Sequence, residues 1–162
     1  MSFKKEISQI LSRKIISATI SGSLFAILLG LFIPNPFGGD INSVGEYFQA
    51  FVLSVPMYLI YSLPVILLYG TITSTISDYI ARLTSNYTSE NLKIYFSIAL
   101  HIIFGLILLW YSLLASFLYF ITDYILRKRN IHKWNNALKS LGIPILVWIV
   151  FMGSVYIIEM FR

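Results

Sequence analysis

Four apolar runs separated by short polar connections dominate the chain: Ile15 to Ile33, Tyr47 to Ser77, Ile94 to Thr122 and Leu141 to Ile158. The third is 29 consecutive residues without a fixed charge, and His101 is its one side chain that titrates near neutral pH. As a helix rising about 1.5 Å per residue it would reach about 43 Å, against about 30 Å for the hydrocarbon core of a bilayer. It is therefore expected to cross a membrane as a single helix. The first run is closed by Pro34 and Pro36, which do not continue a helix. It exceeds the usual signal-peptide core and no A-x-A site follows it, so a retained helix is expected. The second run, 31 residues, carries Pro56 and Pro64 and turns polar from Gly70 to Ser77. Each proline removes a helical hydrogen bond, so a kinked and tilted helix is expected, with a broken helix that enters and returns on one side as the alternative. The fourth run is just long enough to span. The pattern predicts one all-α integral membrane domain over 1–162, a polytopic bundle of four transmembrane helices with a Pro-kinked second helix.

The polar connections supply the orientation. Met1 to Lys14 has Phe3, Ile7, Ile10 and Leu11 on one helical face and Lys4, Lys5, Ser8, Ser12 and Arg13 on the other. It is either a helix lying on an anionic surface or a solvated positive flank. Pro34 to Glu46 holds turn residues, two acids and no Lys or Arg, which fits the outer side. Asp78 to Lys93 is a polar connection whose Asn86-Tyr87-Thr88 sequon is set aside as a chance match. Asp123 to Ser140 is basic, with Arg127, Lys128, Arg129, Lys133 and Lys139, and spaces Ile131, Trp134, Leu138 and Leu141 for one face, as an interfacial helix does. Four crossings with both termini cytoplasmic put seven basic residues inside and five outside. If the second run enters and returns, the division is nine to three. The expectation is four crossings, because the first helix usually dominates orientation.

Composition narrows the class. Of 162 residues, 57% are hydrophobic and only 12% charged, with a mean hydropathy of +0.79. A soluble domain carries about 25% charged residues, so half that amount implies a surface facing lipid. There is no cysteine, which excludes disulfides, thiolate metal sites and cysteine nucleophiles. The net charge of +5 sits in short clusters beside apolar runs, where it meets lipid phosphates, and nucleic acid is not an expected partner.

Few residues point to chemistry. Ala18, Gly22, Ala26 and Gly30 recur every four residues and form a small-residue stripe suited to close helix packing, within this chain or between copies. Asp78 and Arg82, Asp123 and Arg127, and Glu159 and Arg162 are spaced as ion pairs on one helical face near segment ends. His101 is either a neutral imidazole bonded to a neighbouring helix or a proton relay or ligand-coordinating group. Tyr58, Tyr61 and Tyr69 either pack or line a polar cavity beside it. No phosphate-cradling loop, zinc-ligand helix, nucleophile elbow or carboxylate dyad is present, so neither catalytic residues, nor a metal site, nor a cofactor is expected, and the protein is read as not an enzyme.

The run SVPMYLIYSLPVILLYGTITSTISDYI, with the segment FLYFITDYILRKR, resembles an uncharacterised family of small bacterial multi-pass membrane proteins, over about the central two thirds of the chain. The resemblance implies a plasma-membrane location and no particular activity. The leading expectation is a non-enzymatic protein acting through helix contacts with another membrane component or a second copy of itself. The alternative is a small oligomeric transporter or channel built around the second run and His101.

Overall fold

The computed structural model describes the backbone of residues 3–85, 95, 98–103 and 110–161, and the side chains within 7–80, 95, 98–103 and 111–161. All regular structure among the described residues is helical. It comprises α1 (Phe3–Phe32), α2 (Val44–Val65), a π turn (Ile66–Gly70), α3 (Thr71–Ser85), a helical stretch at 98–103, α4 (Trp110–Lys128), α5 (Trp134–Ser140) and α6 (Gly142–Met160).

α1 is the central element and touches all the other numbered helices. α2, the π turn and α3 form one long antiparallel partner for it. Their approach is close because α1 presents its stripe there: Ala18 and Ala26 are fully buried, and a Cβ on Gly30 would lie 2.7 Å from Val55 Cγ2 and 2.9 Å from Ser54 Oγ. In lipid, where apolar burial gives no drive between helices, such backbone proximity supplies dispersion contacts instead. α1 also buries several hydroxyls, and these bond within their own helix: Ser21 donates to the Ser17 carbonyl at 2.6 Å and Ser23 to the Thr19 carbonyl at 2.8 Å. A satisfied hydroxyl can face an apolar neighbour without the desolvation cost of an orphaned one.

Local sequence sets the helix ends. Ser43 caps α2 by accepting from the Glu46 amide, while the Glu46 carboxylate accepts from the Asn42 amide. α4 closes with Asn130 at φ 54°, the Ile131 amide bonding the Leu126 carbonyl and the Asn130 amide the Arg127 carbonyl. That is a Schellman cap with Asn in the left-handed position. The chain then turns so that α5 lies on the first half of α1, where Ala137 packs with Ile16 and Leu126 and the Trp134 indole donates to Ser8. The basic interfacial piece therefore packs on the N-terminal half of α1, which runs without a break from the amphipathic stretch into the first apolar run. Pro56 and Pro64 both fall inside α2, and the departure from α geometry is the π turn that begins two residues after Pro64.

The third apolar run is described at 95, 98–103 and from 110 on, and these parts do not form the one straight helix expected of it. The Ser116 hydroxyl donates to the His101 carbonyl at 2.7 Å. In one straight helix those residues would stand about 22 Å apart along the axis, so the two stretches do not belong to one straight helix. The stretch at 98–103 and α4 are two arms lying side by side. Among the described residues three helices are long and apolar enough to span a membrane, Ile7–Phe32, Val44–Ile80 and Trp134–Met160; the expected third of four lies partly outside the described residues. An uncharged run of sufficient length shows that a crossing is affordable to the chain; it does not choose between crossing once and folding back.

Candidate functional site

At one end of the bundle five charged side chains from three helices meet. α1 contributes Arg13 and Lys14, α3 contributes Asp78 and α4 contributes Asp123 and Arg127. Three of them stand directly at the border of an apolar run: Lys14 precedes Ile15, Asp78 follows Ser77, and Asp123 follows Thr122. Antiparallel packing of α1 against α3 and α4 brings those three borders to one level.

Lys14 is at the centre and has no exposed surface. Its ammonium uses all three donors, to Asp78 Oδ2 and Asp123 Oδ2 at 2.8 Å each and to Ser74 Oγ at 2.6 Å. Arg13 reaches Asp123 Oδ1 through Nε at 2.9 Å and Asp78 Oδ2 through Nη2 at 3.2 Å. Arg127 places Nη2 2.7 Å from Asp78 Oδ1 and 3.1 Å from Asp123 Oδ2. The Ser17 hydroxyl adds a contact to Asp123 Oδ1 at 3.3 Å, and the buried Tyr119 hydroxyl donates to the Lys14 carbonyl at 3.1 Å. Removing a charge from water costs several kcal/mol, which is offset only when opposite charges and hydrogen bonds surround it. Each carboxylate here faces three cations. Burial pushes the Asp123 carboxyl up, but Lys14 and Arg13, with Arg127, outweigh it and hold that group well below the ordinary carboxylate range. Three cations against two carboxylates leave the cluster one positive charge in surplus.

Chemically, both carboxylates are saturated by cations and Lys14 has no idle donor. The cluster ties α1, α3 and α4 together. His101 extends it: its Nε2 lies 3.3 Å from Ser74 Oγ, the hydroxyl that also accepts from Lys14, and its ring stands edge-on to Phe120 at 5.3 Å between centroids. Beside it, between the two arms, is a cleft of about 150 Å³ walled by Ile98, Ile102, Leu113, Phe117 and Phe120.

Of the residues singled out from sequence, the stripe Ala18, Gly22, Ala26 and Gly30 lies on the packing faces of α1, with Gly22 and Gly30 against α2. Of the three tyrosines, Tyr58 stands away from His101. Tyr58 donates to the Ile33 carbonyl at 2.9 Å, at the far end of the bundle, where Tyr47 likewise bonds the Leu31 carbonyl. Tyr61 is exposed and Tyr69 half-buried, and the rings near His101 are those of Tyr119 and Phe120. The Asp123–Arg127 pair forms as spaced, whereas Asp78 pairs with Arg13, Lys14 and Arg127. The Arg82 and Arg162 side chains and the sequon at 86–88 lie outside the described residues. Arg13 and Lys14 belong, by sequence alone, to a helix lying on an anionic surface or to a solvated positive flank, and neither reading buries them. The signal that marks them is positional: a basic pair closing on one apolar run and single acids closing on two others have complementary charge at matching borders.

Comparison with protein-family profiles, curated proteins and solved structures gives no match.

Proposed function

We propose that the chain is a multi-pass protein of the plasma membrane that works without catalysis, through contacts between its helices and another membrane component. It crosses three times, and the third apolar run enters and returns as a helical hairpin on the side of the charge cluster. That side is cytoplasmic. Ten Lys and Arg positions fall in the described elements, Lys4, Lys5, Arg13, Lys14, Arg82, Arg127, Lys128, Arg129, Lys133 and Lys139, and all lie at the level of the cluster or beyond it. The loop at the other end, 34–43, has none. Counted over all twelve Lys and Arg, three crossings put eleven inside and Arg162 outside, the bias the positive-inside rule calls for, against seven to five for four crossings. The end of α6 is then outside, and a bend at the π turn lets the long second span tilt.

The observation that carries the contact reading is where the packing surfaces are spent. The cluster locks α1, α3 and α4, and the stripe holds α1 on α2. Of the apolar stretch in the last span only 6% is buried within the chain, against 61% in the first. α6 is the span left with a free surface for a partner. The chain has no cysteine of its own, so single cysteines report topology and contact directly. A cysteine at Asn130 should resist an impermeant thiol reagent in intact cells while one at Phe37 reacts. A photo-crosslinker at Leu146 or Ile149 should give a discrete protein adduct; adducts to lipid alone at every outward α6 position would end the contact reading.

One observation favours transport as a second reading: the Ser74 hydroxyl joins Lys14 Nζ and His101 Nε2 in a hydrogen-bonded line across three elements. It requires pH-dependent flux in proteoliposomes that is lost with His101→Phe.

A further inference from the structure

Arg127 holds both carboxylates through a single nitrogen, Nη2, and its side chain remains 45% exposed. Among the described residues its Nε and Nη1 meet no protein acceptor. A guanidinium is a rigid fork that matches a phosphate by two parallel hydrogen bonds, so this one is half engaged and half offered. The surplus positive charge of the cluster gives the offer a definite valence: one singly charged anion brings three cations and two carboxylates to neutrality.

The surface leading to Arg127 is not that of an ordinary anion site. Leu113, Phe117, Phe120, Tyr124 and Arg127 are spaced for one face of α4. The first three wall the cleft between the arms, Phe120 stacks on Tyr124 at 6.4 Å, and Arg127 stands about 10 Å further along the helix than Phe120. Phe117, at 61% exposure, and Ile102, at 49%, open that cleft sideways. From one end to the other the face is apolar, then aromatic, then cationic. Lys128 and Arg129 follow directly and are exposed. This is the order of chemistry met along a phospholipid that enters the bilayer from its headgroup.

We propose that this face binds one anionic glycerophospholipid of the leaflet that meets Arg127, its phosphodiester on Arg127 Nε and Nη1 and one acyl chain in the cleft between 98–103 and α4. The site takes a lipid phosphate rather than a free one because the cleft contributes only when a chain is attached. A neutral, zwitterionic headgroup leaves the surplus charge unbalanced and binds more weakly. The bound lipid completes the charge balance of the cluster. The proposal rests on the interfacial level of the cluster set out above.

The test uses the full chain in detergent micelles, titrated separately with phosphatidylglycerol, phosphatidylcholine and inorganic phosphate, and read by native mass spectrometry and by thermal unfolding. Phosphatidylglycerol should remain bound at one equivalent and raise the unfolding temperature, while phosphatidylcholine and inorganic phosphate do neither. Arg127→Gln should weaken phosphatidylglycerol binding about tenfold, the loss of a charge-assisted hydrogen-bond pair. Because that change also touches the cluster, Phe117→Trp supplies the second arm: it fills the cleft without altering any charge and should weaken binding while leaving helix content unchanged. Equal retention of the two lipids, an equal response to inorganic phosphate, or phosphatidylglycerol binding untouched by Phe117→Trp overturns the proposal. Failure of the membrane topology is seen separately, as external labelling of the cysteine at Asn130.

Discussion

The cluster makes an asymmetric prediction about two residues with nearly the same number of contacts. Lys14→Met removes a buried cation and leaves two cations facing two carboxylates, each carboxylate still held by Arg13 and Arg127. The loss is that of buried charge-assisted hydrogen bonds, about 1–3 kcal/mol. Asp123→Asn leaves three cations around one carboxylate, a surplus of two positive charges at a site where Lys14 has no contact with water. Stranding buried charge in this way costs about 3–5 kcal/mol. In Lys14→Met/Asp123→Asn the surplus returns to one, so the double variant should be more stable than the two single costs added together, with a coupling of about 1–3 kcal/mol. The assay is reversible unfolding in mixed micelles with increasing dodecyl sulfate, followed by far-ultraviolet circular dichroism. Additivity within about 0.5 kcal/mol, or a Lys14→Met cost equal to that of Asp123→Asn, would falsify the view that net charge at this level decides stability.

Further predictions follow from single positions. Gly30→Ala should cost about 1–3 kcal/mol by overpacking, because the new methyl meets Val55 and Ser54 inside 3 Å; Gly22→Ala should cost less, since its nearest neighbour is the flexible Leu63 Cδ1 at 2.9 Å, and Gly153→Ala, with nothing within 4 Å, should be neutral or stabilising. The same dodecyl sulfate titration ranks the three, and equal costs would deny the close α1–α2 approach. Tyr119→Phe should lose about 1 kcal/mol with its bond to the Lys14 carbonyl. For Asp123, a carboxyl held below its unfolded value of 3.8 contributes stability that is present above that pH and lost only as pH falls towards the folded value. Unfolding measured between pH 7 and pH 5 should therefore be flat with respect to this group, and Asp123→Asn should flatten the decline seen below pH 4.

How much of this was legible beforehand depends on whether a feature is written locally or across the fold. The all-helical character, the apolar runs and the small-residue stripe are periodic signals, and periodicity survives whatever the tertiary structure does. The Asp123–Arg127 pair was readable for the same reason, since an i,i+4 spacing closes within one helix. The partners of Asp78 were not, because Arg13 and Lys14 are more than sixty residues away and no spacing rule reaches that far. What could be read is their level: side chains bordering apolar runs lie at the membrane surface, and charges of opposite sign that share a surface are available to each other.

The third run shows the converse case. Its length and lack of charge satisfied every condition for one crossing, yet Ser116 donates to the His101 carbonyl, which one straight helix does not allow. The physical reason lies in the neighbours. Asp123 at the exit of this run is bound to Arg13 and Lys14 at the entry of the first, so α4 must finish on the side where α1 begins. Asp78 is bound to the same two cations, so α3 finishes there as well. In the membrane placement proposed above, two successive apolar runs that both end on one side cannot both be single crossings when only the short segment from Tyr79 to Lys93 separates them. One of them has to return to the side it left. α2 and α3 run the length of α1, so the run that returns is the third, and the bond between Ser116 and His101 is the point at which its two arms are held together. Replacing Asp123 and Lys14 with each other's side chains keeps the composition, the hydropathy and the pairing, and should preserve the hairpin; replacing Asp123 with Lys removes the constraint, and a cysteine at Asn130 should then begin to react from outside.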